Sequence, residues 1–169
     1  MAKLPEQINT ILKQKDSYKE IAKEIFSEKD IYYIGRGIDY VASMEAALKL
    51  KEISYIHSEC YASGELKHGA IALIEDNISV ISIITNPELV EKSISNIQEV
   101  ITRGAKTIII TNQEVKGNFY KLIEIPKTNC LISPILSVIP LQFLAYYISK
   151  EKGLDVDKPR NLAKSVTVE

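Results

Sequence analysis

The chain of 169 residues carries a net charge of −1 at neutral pH; 46% of its residues are hydrophobic and 25% are charged. This length is typical of one domain with a core large enough to fold alone, and the composition excludes a disordered chain. The near-zero charge provides no field for holding nucleic acid or an anionic membrane surface. No window holds about 18 uninterrupted apolar residues, so no membrane span is predicted.

Two helices are predicted at the start of the chain. Apolar residues recur with a helical period over residues 4–14 and again up to residue 28, and Asp16 or Ser17 is expected to cap the second helix. Neither helix carries an obvious reactive group. We therefore expect residues 1–28 to form cover helices or a link to a preceding domain.

A short apolar run at residues 30–34 ends at the glycine turn Gly35-Arg36-Gly37. A buried strand that turns into a helix in this way is typical of the opening of a βαβ unit. The helix is predicted over residues 39–54. Its expected core contacts are Val41, Met44, Ala47, Leu48 and Ile53.

Three more apolar runs, at residues 79–85, 106–111 and 122–125, predict further strands. A helix is expected to begin at Pro87, and the longest helix to span residues 133–152, where Pro140 predicts a kink or a break. Strands that are apolar along their length and alternate with helices indicate a parallel sheet covered on both faces. We expect a doubly wound, three-layer αβα sandwich of four or five strands, followed by an extended tail.

The two cysteines, Cys60 and Cys130, lack the spacing of a metal or redox motif. With no signal peptide at the start, they are interpreted as reduced thiols in a cytosolic protein. The simplest role for each is that of a small packing residue.

Charged residues share one face of the helix predicted over residues 39–54. Glu45 lies four residues before Lys49, and Glu52 lies three residues after it. A solvated ladder of ion pairs, worth a few tenths of a kcal/mol each, is the simplest explanation. Flanking apolar residues such as Leu50 suggest a largely buried helix, where charges are costly unless they are paired or used. The second explanation is therefore that these charged residues have a functional role.

In the next cluster, Gly64–Gly69, a glycine stands at each end of four residues. This pattern predicts a tight loop or a single turn. His68 within it is either a satisfied structural group or a ligand-facing residue. His57 stands beside Ile56 in an apolar setting and is expected to be structural. Gly35-Arg36-Gly37 could cradle a phosphate at a helix N-terminus, but a turn-forming role is the simpler explanation.

Two segments carry a resemblance to a known family. The segment LKLKEISYIHSECYASGELKHG and the C-terminal DVDKPRNLAKSVTVE closely resemble the second sugar-isomerase (SIS) half of the glucosamine-6-phosphate synthases, also called glutamine–fructose-6-phosphate aminotransferases (isomerizing). The resemblance covers essentially the whole chain and implies a flavodoxin-like SIS domain over residues 29–153, with a catalytic tail over residues 154–169. It also implies a homodimer, and it implies no metal or cofactor.

The family converts fructose 6-phosphate and ammonia, which a glutaminase domain makes from glutamine, into glucosamine 6-phosphate. By resemblance, Glu52 is the base for aldose–ketose proton transfer and Lys49 is the lysine beside it. His68 is the ring-opening histidine, which in the family reaches into the neighbouring subunit's site. Lys164 is the lysine that forms a Schiff base with the sugar carbonyl, and Ala163 lies on the substrate-contacting tail.

The sequence lacks the S-x-S-G-[DE]-T loop with which the family's first SIS domain holds the sugar phosphate, and it has no N-terminal cysteine nucleophile. We expect a C-terminal fragment that begins in the linker between SIS domains and is inactive alone. Its expected partners are the sugar phosphate, a first SIS domain and a glutaminase domain. Residues 158–169 are expected to be ordered in a competent enzyme. The alternative is a non-catalytic SIS module that senses a phosphosugar, which would need the phosphate loop and no Schiff-base lysine.

Overall fold

The computed structural model describes residues 3–162, which form one five-stranded parallel sheet with helices on both faces. The strands are β1 (Asp30–Gly35), β2 (His57–Ala62), β3 (Ser79–Ile84), β4 (Lys106–Thr111) and β5 (Lys121–Glu124). The helices are α1 (Leu4–Leu12), α2 (Lys15–Ile25), α3 (Ile38–Ser54), α4 (Val90–Ile101) and α5 (Ser133–Glu151), with short 3-10 helices at Leu66–His68, Ala70–Leu73 and Pro87–Leu89. The strand order β2-β1-β3-β4-β5 is that of flavodoxin-like folds, as expected.

Alternating side chains of the strands fill two cores, one on each face of the sheet. On one face, Ile81 and Ile83 of β3 pack in a cluster with residues of α1, α2, α3 and α5. On the other face, Val80 and Ile84 of the same strand pack with Ile97 of α4. A sheet buried on both faces confirms the predicted three-layer sandwich.

β2 was not predicted from the sequence. It pairs only with β1 in the described sheet, in parallel and in register from Asp30 opposite His57 to Gly35 opposite Ala62. As an edge strand it carries half-buried polar residues such as Glu59, so it shows no continuous apolar run.

The expected core face of α3 was largely wrong. Val41 is 57% exposed, and Met44 and Leu48 are each 41% exposed. The core face instead carries small side chains together with one leucine: Ala42, Ser43, Ala46, Ala47 and Leu50. Small residues allow α3 to pack closely against α5, and the larger apolar residues are left on the opposite face.

The N-terminal helices are cover helices, because Ile11 of α1 and Tyr18 of α2 are fully buried in the core shared with α5. The expected cap of α2 was wrong, since the helix begins at Lys15 and therefore already includes Asp16 and Ser17. The α5 helix continues through Pro140 without a break. Among the described residues, no helix has the length and apolar character needed to cross a membrane.

Candidate functional site

The predicted pair on α3 is formed in the structure. Lys49 Nζ lies 2.7 Å from Glu52 Oε2 and 3.8 Å from Glu45 Oε1. The pKa of Lys49 is raised above its ordinary value, mainly by the hydrogen bond to Glu52. Partial burial lowers this pKa but does not cancel the rise. The lysine is therefore held as a cation beside the carboxylate, as a group that stabilises developing negative charge must be.

The pair lies on an open surface of the chain. The side chains of Lys49 and Glu52 are 37% and 26% exposed. At helical spacing, Glu52 shares its face of α3 with Val41 and Leu48, both exposed. A groove of about 870 Å³ runs elsewhere, along α4, and is lined by neither member of the pair. A second surface would therefore have to cover Glu52 before water could be excluded from it.

His68 is not brought to this pair within one chain. It ends a 3-10 helix beyond the carboxyl end of β2, and its side chain is 65% exposed, 3.9 Å from Glu65. The α3 helix starts after β1 and ends before β2 begins, so Glu52 lies toward the amino edge of the sheet. The length of β2 alone, roughly 20 Å, separates the two edges.

Lys164 and Ala163 lie outside the described residues, so their expected roles stay predictions. The described part of the tail reaches the end of α3 through Arg160. Its backbone N–H donates to the Tyr55 hydroxyl at 2.8 Å, and its guanidinium carbon lies 4.1 Å from the centre of the Tyr55 ring. Sequence reasoning missed this contact. Both residues lie in the segments that resemble the family, but nothing in their spacing predicts that they touch.

The Gly35-Arg36-Gly37 segment forms the turn from β1 into α3. A Cβ atom at Gly35 would meet the backbone N of Tyr40 at 2.6 Å, so only glycine permits this close approach. Gly37 has a positive φ of 56°. Arg36 donates from Nε and from its terminal nitrogen to Asn96 Oδ1, at 3.1 and 2.7 Å. These contacts favour the turn-forming role over the phosphate cradle.

A buried carboxylate at the carboxyl edge of the sheet was missed. Asp39, 3% exposed, accepts hydrogen bonds from the backbone N–H of Thr85 at 2.8 Å, from that of Asn86 at 3.4 Å, and from the Thr85 hydroxyl. The Thr85 hydroxyl also lies 2.7 Å from Ser133 Oγ. Burial raises the pKa of Asp39, and the hydrogen bonds oppose part of that rise. One signal was available, because Asp39 stands in the first turn of a helix that follows a buried strand.

The remaining candidates have structural explanations. His57 is exposed rather than in an apolar setting, with Nδ1 2.7 Å from Asp30 and Nε2 3.7 Å from Glu59. Cys60 is half-buried, and burial raises the pKa of its thiol to about 12, which makes it a poor nucleophile. Cys130 is also a half-buried free thiol. Within residues 3–162, no group of three or more His, Cys, Asp or Glu side chains could hold a metal ion.

Comparison with known proteins gives relatives over the full length of the chain. This chain is 58% identical to a glutamine–fructose-6-phosphate aminotransferase (isomerizing) of Clostridium perfringens and 54% identical to that of Clostridium tetani. Each match covers all of this chain and 28% of the relative. The chain thus spans little more than a quarter of the length of these relatives.

Among solved structures, the C-terminal domain of glucosamine-fructose-6-phosphate aminotransferase from Francisella tularensis superposes with a TM-score of 0.85 at 37% identity. The match covers 89% of this chain and 43% of that one. A protein of Escherichia coli CFT073 in complex with A5P, 14% identical with a TM-score of 0.71, shares the fold. Residues 24–149 match the SIS domain family. The chain therefore belongs to the SIS domain family.

Proposed function

We propose that the chain is the isomerase half of a glucosamine-6-phosphate synthase, which converts fructose 6-phosphate and glutamine-derived ammonia into glucosamine 6-phosphate. The observation that carries the proposal is the hydrogen-bonded pair of Lys49 and Glu52 on the open face of α3. The relative of Clostridium perfringens, at 58% identity over the whole chain, supports the same reaction.

The chemistry follows from the residue types. The neutral amine of Lys164 adds to the C2 carbonyl of the open-chain sugar and water leaves, which forms a Schiff base. Ammonia then replaces the lysine at C2. Glu52 takes a proton from C1 and returns it to C2, while the cation of Lys49 stabilises the negative charge that develops between them. The C1 hydroxyl proton passes to the nitrogen at C2, which leaves an aldehyde at C1 and an amine at C2. His68, whose imidazole can both accept and donate a proton, moves the ring-opening proton.

The proposed site is completed by other parts of a larger enzyme. The exposed face of α3, with Val41, Leu48 and Glu52, would pack against a first SIS domain that holds the sugar phosphate. The matched relatives have the length for such domains, since the chain spans 28% of the Clostridium perfringens protein. In this proposal, residues 1–28 are the linker region, residues 29–153 the SIS domain and residues 154–169 the catalytic tail, and the enzyme is cytoplasmic.

The alternative function, a phosphosugar sensor without catalysis, is disfavoured by the residues that follow β3. A phosphate at this edge of a doubly wound sheet is commonly held by free backbone N–H groups. The N–H groups of Thr85 and Asn86 already donate to Asp39. Pro87, which follows them, has no N–H to offer.

The test is a chimera in which this chain replaces the matching segment of the Clostridium perfringens relative. Glucosamine 6-phosphate formation is measured with fructose 6-phosphate and glutamine. Lys164→Ala should lower the rate by roughly 10²-fold or more, because the Schiff base can no longer form. Lys158→Ala, which removes another tail lysine, is the matched control. Equal rates in the two variants would refute the role of Lys164.

A further inference from the structure

Tyr55 occupies an unusual backbone position directly after the helix that carries Lys49 and Glu52. Its φ of 59° and ψ of 17° are left-handed, a conformation that is costly for a bulky residue without compensating contacts. The chain turns sharply here, from the end of α3 at Ser54 into the buried Ile56 and then β2. This turn fixes where the Tyr55 ring emerges.

The C-terminal segment makes two contacts with this one side chain. The backbone N–H of Arg160 donates to the Tyr55 hydroxyl at 2.8 Å, and the Arg160 guanidinium carbon lies 4.1 Å from the ring centre. A guanidinium this close to an aromatic face makes a favourable cation–π contact. Both contacts join the half-buried Tyr55 to a stretch that has no regular secondary structure.

We propose that Tyr55 anchors the C-terminal tail, holding it at Arg160 beside the end of α3 that carries the proposed base. The role of this anchor in catalysis depends on the function proposed above. Tyr55 is thereby a positioning residue for Lys164, and it does not touch the reacting atoms.

Covalent geometry supports this placement. Glu52 precedes Tyr55 by three residues, which is about 4.5 Å along a helix axis. Lys164 follows Arg160 by four residues and is therefore at most about 14 Å from it along the chain. Counted from Glu151 at the end of α5, Lys164 is thirteen residues away, a reach of up to about 45 Å. Anchoring at Arg160 thus reduces the space over which Lys164 must find the sugar.

The test measures hydrogen exchange of the Arg160 amide in the full 169-residue chain without substrate. Tyr55→Phe removes the acceptor and keeps the ring, whereas Tyr55→Asn removes both and tolerates the left-handed backbone. Tyr146→Phe, at an exposed tyrosine on α5, is the control. We expect exchange at Arg160 to become roughly tenfold faster in both Tyr55 variants and to stay unchanged in the control. Retained protection of the β3 amides shows that the variants are folded.

Trypsin gives a second readout of the same contact. Because trypsin does not cleave before proline, the Lys158–Pro159 bond resists it, and the Arg160–Asn161 bond is the nearby reporter. Cleavage there should be faster in Tyr55→Asn, in which the guanidinium no longer lies on a ring. If Arg160 exchange and cleavage in folded Tyr55→Asn equal those of the wild type, the anchor does not exist.

The role in positioning is tested separately in the chimera with the Clostridium perfringens relative. There, Tyr55→Asn should lower kcat by roughly tenfold and leave the KM for fructose 6-phosphate unchanged, as expected for a misplaced catalytic group. Tyr55→Phe should lie between that variant and the wild type. An unchanged kcat in Tyr55→Asn would overturn the positioning role. An inactive wild-type chimera whose Arg160 amide is protected would contradict the proposed function and leave the anchor intact.

Discussion

Glu52 has a charged partner and is partly covered, with 26% of its side chain exposed. Its ion pair with Lys49, at 2.7 Å, follows directly from their spacing of three residues on a helix, so the pair itself could be predicted from the sequence. Its exposure could not, because periodicity does not show which side of α3 would face α5. A solvated ion pair and a catalytic carboxylate have the same geometry at this site. The two explanations differ in how removal of the carboxylate changes enzymatic activity.

A stability measurement tests whether Glu52 is instead a structural residue, since the solvated ion pair and the catalytic carboxylate both predict a small loss. Because the pair is partly exposed, Glu52→Gln should change the free energy of unfolding by less than about 1 kcal/mol, as should Glu45→Gln on the same helix. Urea unfolding of the two variants and the wild-type chain measures this. A loss of several kcal/mol in Glu52→Gln alone would instead make Glu52 a structural residue.

At the scale of elements, α3 is fixed at its first turn and holds the tail at its other end. Its first turn carries Asp39, whose carboxylate connects α3 to the end of β3 and, through Thr85, to the start of α5 at Ser133. Its last turn is followed by Tyr55, which contacts the tail. A helix fixed in this way can present Lys49 and Glu52 at a constant position along its open face.

Asp39→Ala should be clearly destabilising. The substitution leaves the buried N–H of Thr85 and the Thr85 hydroxyl without their acceptor, and it weakens the contact to Asn86. We expect a loss of about 2–4 kcal/mol in urea unfolding. Asp16→Ala, at an exposed aspartate in the first turn of α2, is the matched control and should cost less than about 1 kcal/mol. Equal losses of stability in the two variants would show that the helix dipole alone accounts for the stabilising effect of Asp39.

The same carboxyl should leave a signature in the pH dependence of stability. Burial raises the pKa of Asp39 in the folded chain, so the folded state binds this proton more tightly than the unfolded state does. The contribution is therefore present below the ordinary carboxyl pKa and is lost as the pH rises through the raised value. Asp39→Asn, which cannot ionise, should remove this part of the fall in stability above about pH 4. An unchanged pH profile in Asp39→Asn would contradict this assignment.

Sequence reasoning recovered the elements that have strong local patterns. β1, β3 and β4 are buried on both faces and were visible as apolar runs, and α5 was marked by Ser133 and Pro134 at its start. β2 was missed because an edge strand is less buried and therefore carries no continuous apolar run in the sequence. The core face of α3 was misassigned because alanine and serine carry little hydrophobic signal, although they permit the close packing with α5.

At the scale of the molecule, the two ends of the sheet carry different parts of the proposed site. Glu52 lies toward the amino edge and His68 beyond the carboxyl end of β2. The strand between them is roughly 20 Å long, so one chain cannot place both on one sugar. If both act in the same reaction, His68 must come from another copy, as the resemblance to the synthases implies. The exposure of His68 is consistent with that arrangement.

Subunit mixing tests this arrangement. Chimeras carrying Glu52→Gln are mixed with chimeras carrying His68→Ala after reversible dissociation, and the fructose 6-phosphate to glucose 6-phosphate conversion is assayed. Statistical reassociation into dimers should restore roughly a quarter of the wild-type activity, because each mixed dimer holds one intact site. The control mixes Glu52→Gln with the double variant Glu52→Gln/His68→Ala and should stay inactive. Failure of the first mixture to exceed this control would contradict a site that takes Glu52 from one subunit and His68 from the other.

The central claim is that the Glu52 carboxylate moves a proton between C1 and C2 of the sugar. The most direct measurement follows deuterium incorporation at these carbons by NMR, with the chimera and fructose 6-phosphate in D2O without glutamine. Glu52→Gln should slow incorporation by roughly 10³-fold, whereas Glu45→Gln on the same helix face should leave it within about twofold of the wild type. Incorporation in Glu52→Gln at the wild-type rate would contradict the account.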